Sequence, residues 1–354
     1  MKILYGVQGT GNGHIARARA MAKALKQHHV DVTFLFTGRE QDKYFSMEPF
    51  GDYKTLRGLT FQVNKGRVSY LKTVLRNSLW QCKKDIQQLD LSEYDLVLND
   101  FEPISAWAAK KQGVPCIGVS HQNAFRYSVP KKGDSWLDQT LIKYFSPATH
   151  YIGLHWYHFD QPVLPPIIEP HIMDERPNSE FSLVYLPFEA LSEVEGLLNR
   201  FSLHPFVCYH PDVRHPYQVE NICFKPLSRS GFQADLQVCQ GVIANGGFEL
   251  PSEALSLGKK LLLKPLSGQF EQQSNVATLD YLGLAHTMKW LDSEAVRDWL
   301  ESPAIEKVDY PDVANHLVKW LLKGRWDDLS LLWSTLWEEV NYPVHCLELA
   351  EEQF

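Results

Sequence analysis

Apolar residues fall along the first half of the chain in two alternating rhythms. Continuous runs at 2–7, 30–36, 94–99 and 114–119 have the length and composition of buried strands. Between them, 14–26, 68–89 and 102–112 carry apolar residues at helical spacing. Strands alternating with helices predict parallel pairing and a doubly wound α/β unit. Prolines at 162, 165, 166, 170 and 177 then interrupt both rhythms and predict a linker over 161–180. The alternation restarts with strands at 182–186, 205–209, 222–225, 241–245 and 260–264, and a helix from 190. Two α/β domains are expected, 1–160 and 181–325, followed by a helical segment 326–354 that crosses back to the first domain. Within 312–340, read as helix, Trp326, Leu329, Trp333, Trp337 and Val340 share one face. Such an aromatic stripe predicts packing across the body rather than ligand binding.

The strand-to-helix junctions carry the candidate chemistry. The first strand runs into Gly9-Thr10-Gly11-Asn12-Gly13-His14 and then directly into a helix. Glycines let backbone approach a ligand, and the helix start offers free N–H groups and a positive dipole end. No Gly-Lys-Ser/Thr follows, so the loop is not a P-loop. Read as Gly11-x-Gly13-x-x-Ala16 it fits a dinucleotide pattern, but the next strand ends at Phe36-Thr37-Gly38 without an acidic ribose ligand. His14 stands at the carboxyl edge of the first strand, where an imidazole serves as a general base or, more plainly, as a polar cap. Asp100 and Glu102 follow the 94–99 strand, and His121 and Gln122 follow 114–119. All four suit a ligand edge, and all four also suit caps and turns.

In the second unit the 241–245 strand ends at Asn245-Gly246-Gly247, and the next helix carries Glu249 and Glu253. This is a second phosphate cradle, and a carboxylate at Glu253 can accept two hydrogen bonds from a sugar diol. Glu271 and Gln272 follow the 260–264 strand, where they suit hydroxyl recognition or, taken singly, a helix start. No Asp-x-Asp motif is present to hold a divalent ion. His150, His155 and His158, or His210 with Asp212 and His215, match no strong zinc spacing, so neither a metal nor a cofactor is expected.

Composition narrows the setting. The 354 residues, 44% hydrophobic and 22% charged, exclude a disordered chain. No apolar run approaches the roughly 18 residues of a membrane span, and 1–5 opens a strand where a secretory leader would have an apolar core. Six cysteines form no CxxC pair, and reduced thiols in a cytoplasmic protein are expected. The net charge of −7 conceals a split: 1–150 hold 21 basic and 13 acidic side chains, a formal +8, and the remaining 204 residues sum to −15. Between Tyr53 and Lys84 there are eight basic residues and no acid. That segment is either a solvated face or a surface for an anionic acceptor or the inner leaflet of a membrane. No nucleic-acid partner is expected.

These motifs, in this order, resemble those of two-domain GT-B glycosyltransferases of the MurG-like, family 28-like kind. Gly9-Thr10-Gly11-Asn12-Gly13-His14 resembles the family's glycine loop ending in histidine. Asn245-Gly246-Gly247 with Glu253 resembles its donor-phosphate loop and ribose-binding glutamate, and Glu271-Gln272 its acid–glutamine pair at the donor sugar. The resemblance implies two Rossmann-like domains facing across a cleft, with acceptor in the first and nucleotide sugar in the second. It implies an inverting, metal-independent transfer, a UDP-sugar donor, His14 as base and Asp100 as its partner. Gly11, Asn12, Gly13, Glu102, His121 and Gln122 would then line the acceptor side, and Asn245, Gly246, Gly247, Glu249, Glu253, Glu271 and Gln272 the donor side. The sequence departs from the pattern at Arg17, where some relatives have proline, at Asn245, where some have histidine, and at Glu249, an acid beside the expected diphosphate. An NADP-dependent oxidoreductase, a sugar-nucleotide 2-epimerase and a non-catalytic sugar-nucleotide-binding protein are the competing readings. NADPH binding, acceptor-independent epimerisation and the effect of His14→Ala separate them.

Overall fold

The computed structural model describes residues 1–59, 63–64, 67–68, 79–133, 135–169, 179–344 and 346. The first unit runs β1 Lys2–Gln8, α1 Asn12–Gln27, β2 Asp31–Thr37, β3 Lys54–Leu56, a two-strand hairpin of β4 Val63–Asn64 and β5 Arg67–Val68, and α2 Leu79–Gln88. It continues with β6 Leu96–Asp100, α3 Pro103–Gln112, β7 Cys116–Ser120, α4 His121–Ala124, α5 Trp136–Tyr144, β8 His150–Leu154 and β9 Val163–Leu164. Seven of these strands form one all-parallel sheet in the order β3-β2-β1-β6-β7-β8-β9. Its central strands are apolar on both faces because helices cover both, which is why they read as unbroken apolar runs.

The second unit contains β10 Ser182–Tyr185, α6 Leu191–Leu198, β11 Phe206–Tyr209, β12 Tyr217–Val219, β13 Ile222–Lys225, α7 Arg229–Val238 and β14 Gly241–Asn245. After it come α8 Glu249–Ser256, β15 Lys260–Lys264, α9 Phe270–Tyr281, β16 His286–Thr287, α10 Ser293–Glu301, α11 Val313–Lys323 and α12 Ser330–Glu338. Its sheet runs β12-β13-β11-β10-β14-β15-β16, parallel except for the antiparallel edge strand β12. In each sheet the chain winds outward to one side and then restarts on the other. The reversal falls between β1 and β6 in the first and between β10 and β14 in the second. Those two gaps, at the carboxyl ends of the strands, are where doubly wound sheets bind ligands.

Several boundaries differ from the periodicity. The helix expected over 68–89 is described only from Leu79 to Gln88, Val68 belongs to the β4–β5 hairpin, and 69–78 lie outside the described residues. Within the proline-rich stretch, Val163–Leu164 pairs with β8 as an edge strand, the place where flanking prolines cost no ladder bond; 170–178 lie outside the described residues. The helix expected over 312–340 is two helices. Gly324 takes the left-handed conformation (φ 67°) that ends α11, so Trp326 sits in the connection rather than on a helix. Trp333 and Trp337 do lie on α12, and their Nε1–H groups donate to the carbonyls of Gln161 (2.9 Å) and Val163 (2.8 Å) beside β9. The last helices thus pack against the first sheet and against α1, where His28 meets Asn315 at 2.6 Å.

Candidate functional site

The two reversal points face one another across a cleft of about 510 Å³. Its first wall is built by the loop from β1 into α1. The N-cap position, Gly11, offers no side chain to the first-turn amides of α1, and no acid occupies that turn. His14 and Arg17 follow at i and i+3 on one helical face, and both reach Asp100 at the end of β6. His14 Nδ1 lies 2.8 Å from Asp100 Oδ1. Arg17 grips the same carboxylate twice, Nε to Oδ2 at 2.8 Å and Nη2 to Oδ1 at 3.0 Å. An ionised carboxylate only accepts, so the ring proton belongs on Nδ1, donated to Asp100 Oδ1; Arg17 Nη2, 3.1 Å from the same nitrogen, directs its own proton to that oxygen and not to the ring. Nε2 is then the basic nitrogen, on a side chain that lines the cleft.

Local chemistry fixes Asp100 in that position. Asn99 Nδ2 donates to the Glu102 carbonyl (2.7 Å) and its Oδ1 accepts from Glu102 N–H, forming a tight bend. Phe101, inside the bend, is held at φ 52°, a conformation a phenylalanine rarely adopts. Burial by itself would raise the Asp100 carboxyl, but Arg17 and His14 together hold it below the usual carboxylate range. Glu102 does something different from its sequence assignment. It is fully buried and caps α3, accepting from Ile104 N–H (2.7 Å) and Ser105 N–H (2.6 Å), with Thr37 Oγ1 donating at 2.9 Å. It does not line the cleft, and its position reflects the helix-cap alternative for an acid at that place.

The second wall comes from the β14–α8 and β15–α9 junctions. Asn245 Nδ2 donates to the Lys264 carbonyl (3.1 Å), while its buried Oδ1 has no partner among the described residues. Gly246 and Gly247 lead to α8, whose N-cap, Phe248, supplies no side-chain cap. Glu253, one turn inside α8, is buried and accepts from Gln233 Nε2 at 2.9 Å. It lines a second cavity of about 160 Å³ adjoining the first. Glu271 and Gln272 open α9 on the cleft side, and the Gln272 side chain closes the turn by accepting from Leu266 N–H at 3.0 Å.

Side-chain contacts join the walls. Gln122 Nε2 donates to Glu271 Oε2 at 3.1 Å. His121, buried, stacks on Phe248 with ring centroids 3.9 Å apart and meets Asn275 Oδ1 at 2.6 Å. Arg17 Nη1 donates to Glu249 across the domains, and both side chains are buried. Burial, opposed by Arg17 and reinforced by neighbouring carboxylates, pushes Glu249 up to about 8. Sequence reasoning noted Arg17 only as a departure from a pattern. Its i+3 spacing from His14 was the available signal, whereas its partner 232 positions away was not legible. Among the described residues no three His, Cys, Asp or Glu side chains group as a metal set.

A pair of doubly wound domains with both ligand edges turned into one cleft is the GT-B architecture. Residues 1–303 match the family model for Glycosyl transferase family 1, and the chain belongs to that family. It is similar to the UDP-N-acetylglucosamine–N-acetylmuramyl-(pentapeptide) pyrophosphoryl-undecaprenol N-acetylglucosamine transferase of Bacillus licheniformis, 29% identical over 160 residues. That match spans 43% of this chain and 42% of the relative, less than half of each. Among solved structures, MurG of Acinetobacter baumannii superposes with a TM-score of 0.56 at 15% identity, covering 91% of this chain and 100% of that one. Arabidopsis thaliana UGT89C1 complexed with UDP gives 0.55 at 12% identity, over 85% and 90%. At such identities the likeness establishes the fold.

Proposed function

We propose that this glycosyltransferase moves a sugar from a UDP-sugar to an acceptor hydroxyl with inversion, without a metal, and with His14 as general base. The observation that carries the reading is the His14–Asp100 contact at the first sheet's reversal point, opposite the uncapped start of α8. The acceptor O–H proton passes to His14 Nε2 as the oxygen attacks the anomeric carbon. The bond from that carbon to the diphosphate oxygen breaks on the opposite face, and the nucleoside diphosphate leaves. Asp100, kept ionised by Arg17, stabilises the imidazolium that forms. Charge on the leaving diphosphate is met by the amides of the Gly246-Gly247 turn and the dipole of α8. The sugar takes the larger cavity, beside Glu271 and Gln272, and the nucleoside takes the smaller, where Glu253 suits the ribose diol.

UDP-N-acetylglucosamine is the first donor to test, since it is the donor named for the Bacillus relative. The acceptor domain is read as 1–160 and the donor domain as 181–325. An anionic or lipid-linked acceptor is proposed from the basic excess of 1–150. The decisive measurement is UDP release with a panel of donors and acceptors, together with the anomeric configuration of the product. His14→Ala is expected to lower kcat by at least 100-fold while leaving UDP affinity within about threefold. Retained turnover would remove His14 as base, and a product of unchanged configuration would remove inversion. Activity lost on EDTA treatment and restored by magnesium would remove metal independence.

A further inference from the structure

We propose that Glu249 is a displaceable gate on the donor path: it holds Arg17, and an incoming nucleoside diphosphate takes Arg17 from it. The inference rests on reading the two cavities as the sugar and nucleoside ends of one donor site. Asn12, Gly13, Tyr185, Glu249 and Leu250 line both cavities, so they form the neck between them. A molecule with a sugar in one cavity and a nucleoside in the other must carry its diphosphate through that neck. Of the five, Glu249 alone bears an ionisable carboxylate. An ionised carboxylate and a diphosphate at contact repel strongly in a buried site.

Arg17, which lines the larger cavity and already holds Glu249, is the cation bonded to the neck carboxylate. Its Nε and Nη2 are committed to Asp100, and its Nη1 is spent on Glu249. That third donor is what a phosphate oxygen can claim, because guanidinium forks match phosphate as well as carboxylate. Gly13 makes the contact possible: a Cβ there would lie 2.9 Å from Glu249 Cγ, so glycine lets α8 seat its glutamate against the first domain. The groups that face Glu249 are Arg17 from α1, Asp100 from β6, Glu271 from α9 and Glu253 from its own helix. Three carboxylates and burial oppose its charge, and only Arg17 favours it. Losing Arg17 to a phosphate therefore drives Glu249 to take up a proton. Burial already acts in that direction, pushing the carboxyl up to about 8 even with Arg17 in place.

The test is calorimetric titration of the full chain with UDP at pH 7 and pH 9, a window whose lower edge already lies above the second phosphate pKa of about 6, so that the diphosphate is mostly ionised throughout. Wild-type affinity should fall about tenfold from pH 7 to pH 9, because the Glu249 proton must be supplied for binding. Glu249→Gln should abolish that slope and bind UDP at pH 9 at least as tightly as wild type does at pH 7. Arg17→Lys should weaken UDP at both pH values, since an ammonium lacks the fork that grips Asp100 with two donors while aiming a third at phosphate. A Glu249→Gln protein that keeps the slope, or binds more weakly at both pH values, overturns the gate. If that variant does not fold, proton uptake on UDP binding to wild type at pH 9 decides the matter. Close to one proton, read from buffers of different ionisation enthalpy, supports the gate, and none overturns it. A wild type that binds UDP and transfers sugar without the slope sinks only the gate. A wild type that binds none of UDP, TDP, GDP or ADP sinks the donor reading with it.

Discussion

Asp100 and Glu249 flank one guanidinium from opposite domains, yet their surroundings push them in opposite directions. Asp100 sits below its ordinary value because both Arg17 and His14 bind its charged form. Its contribution to stability is present above the unfolded carboxylate value and is lost as pH falls through the lower folded one. Glu249 is raised to about 8 from an ordinary 4.5, so between those values the folded chain binds a proton that the unfolded chain has released. Stability through Glu249 therefore falls as pH rises across that window. The urea midpoint of the wild type should be lower at pH 8 than at pH 5.5, and Glu249→Gln should flatten much of the difference. An unchanged slope in that variant would mean Glu249 is ionised throughout the range in the folded chain.

At the scale of elements, what the sequence made legible was what depends on neighbours along the chain. The apolar runs of β1, β6, β7, β14 and β15 appear in the structure close to their expected bounds, because strands buried on both faces need no partner to be recognised. The glycine-rich entry to α1 was equally local. The bend at Phe101 was not legible, since it depends on the Asn99 side chain closing over Glu102 rather than on any turn residue. The break between α11 and α12 was signalled by Lys323-Gly324, a basic last turn followed by glycine, but the tryptophan periodicity outweighed it. What that periodicity did capture is the pair of indole bonds from α12 to the β9 edge. Trp337→Phe keeps the aromatic packing and removes one of them, leaving the Val163 carbonyl short of a donor. The expected cost is about 1 kcal/mol, read from the urea unfolding midpoint. A change below about 0.3 kcal/mol would mean that water replaces the indole there.

At the scale of the molecule, the charge split follows the two sheets, with the basic excess on the side of the first. Part of the acid-free segment between Tyr53 and Lys84 falls outside the described residues, among it Lys65, Lys72 and Arg76. Its C-terminal end lies on α2, where Leu79 and Trp80 are 62% and 71% exposed and Lys84 Nζ lies 5.6 Å above the Trp80 ring. Among the described residues no helix is long and apolar enough to cross a membrane. Were this face to meet anionic headgroups, the ring would sit at the interface and the ammonium groups on phosphate. If the acceptor is lipid-linked, this face should bind vesicles containing acidic phospholipid and release them as salt rises past the Debye screening of the lysines. Reversing Lys83 and Lys84 to glutamate should weaken vesicle binding by at least tenfold, at about 1 kcal/mol for each basic residue near the surface. Transfer to a short water-soluble acceptor should stay unchanged, because neither lysine lines the cleft. Vesicle binding indifferent to both salt and charge reversal would remove this face as the membrane contact and leave the proposed roles of His14 and Asp100 untouched.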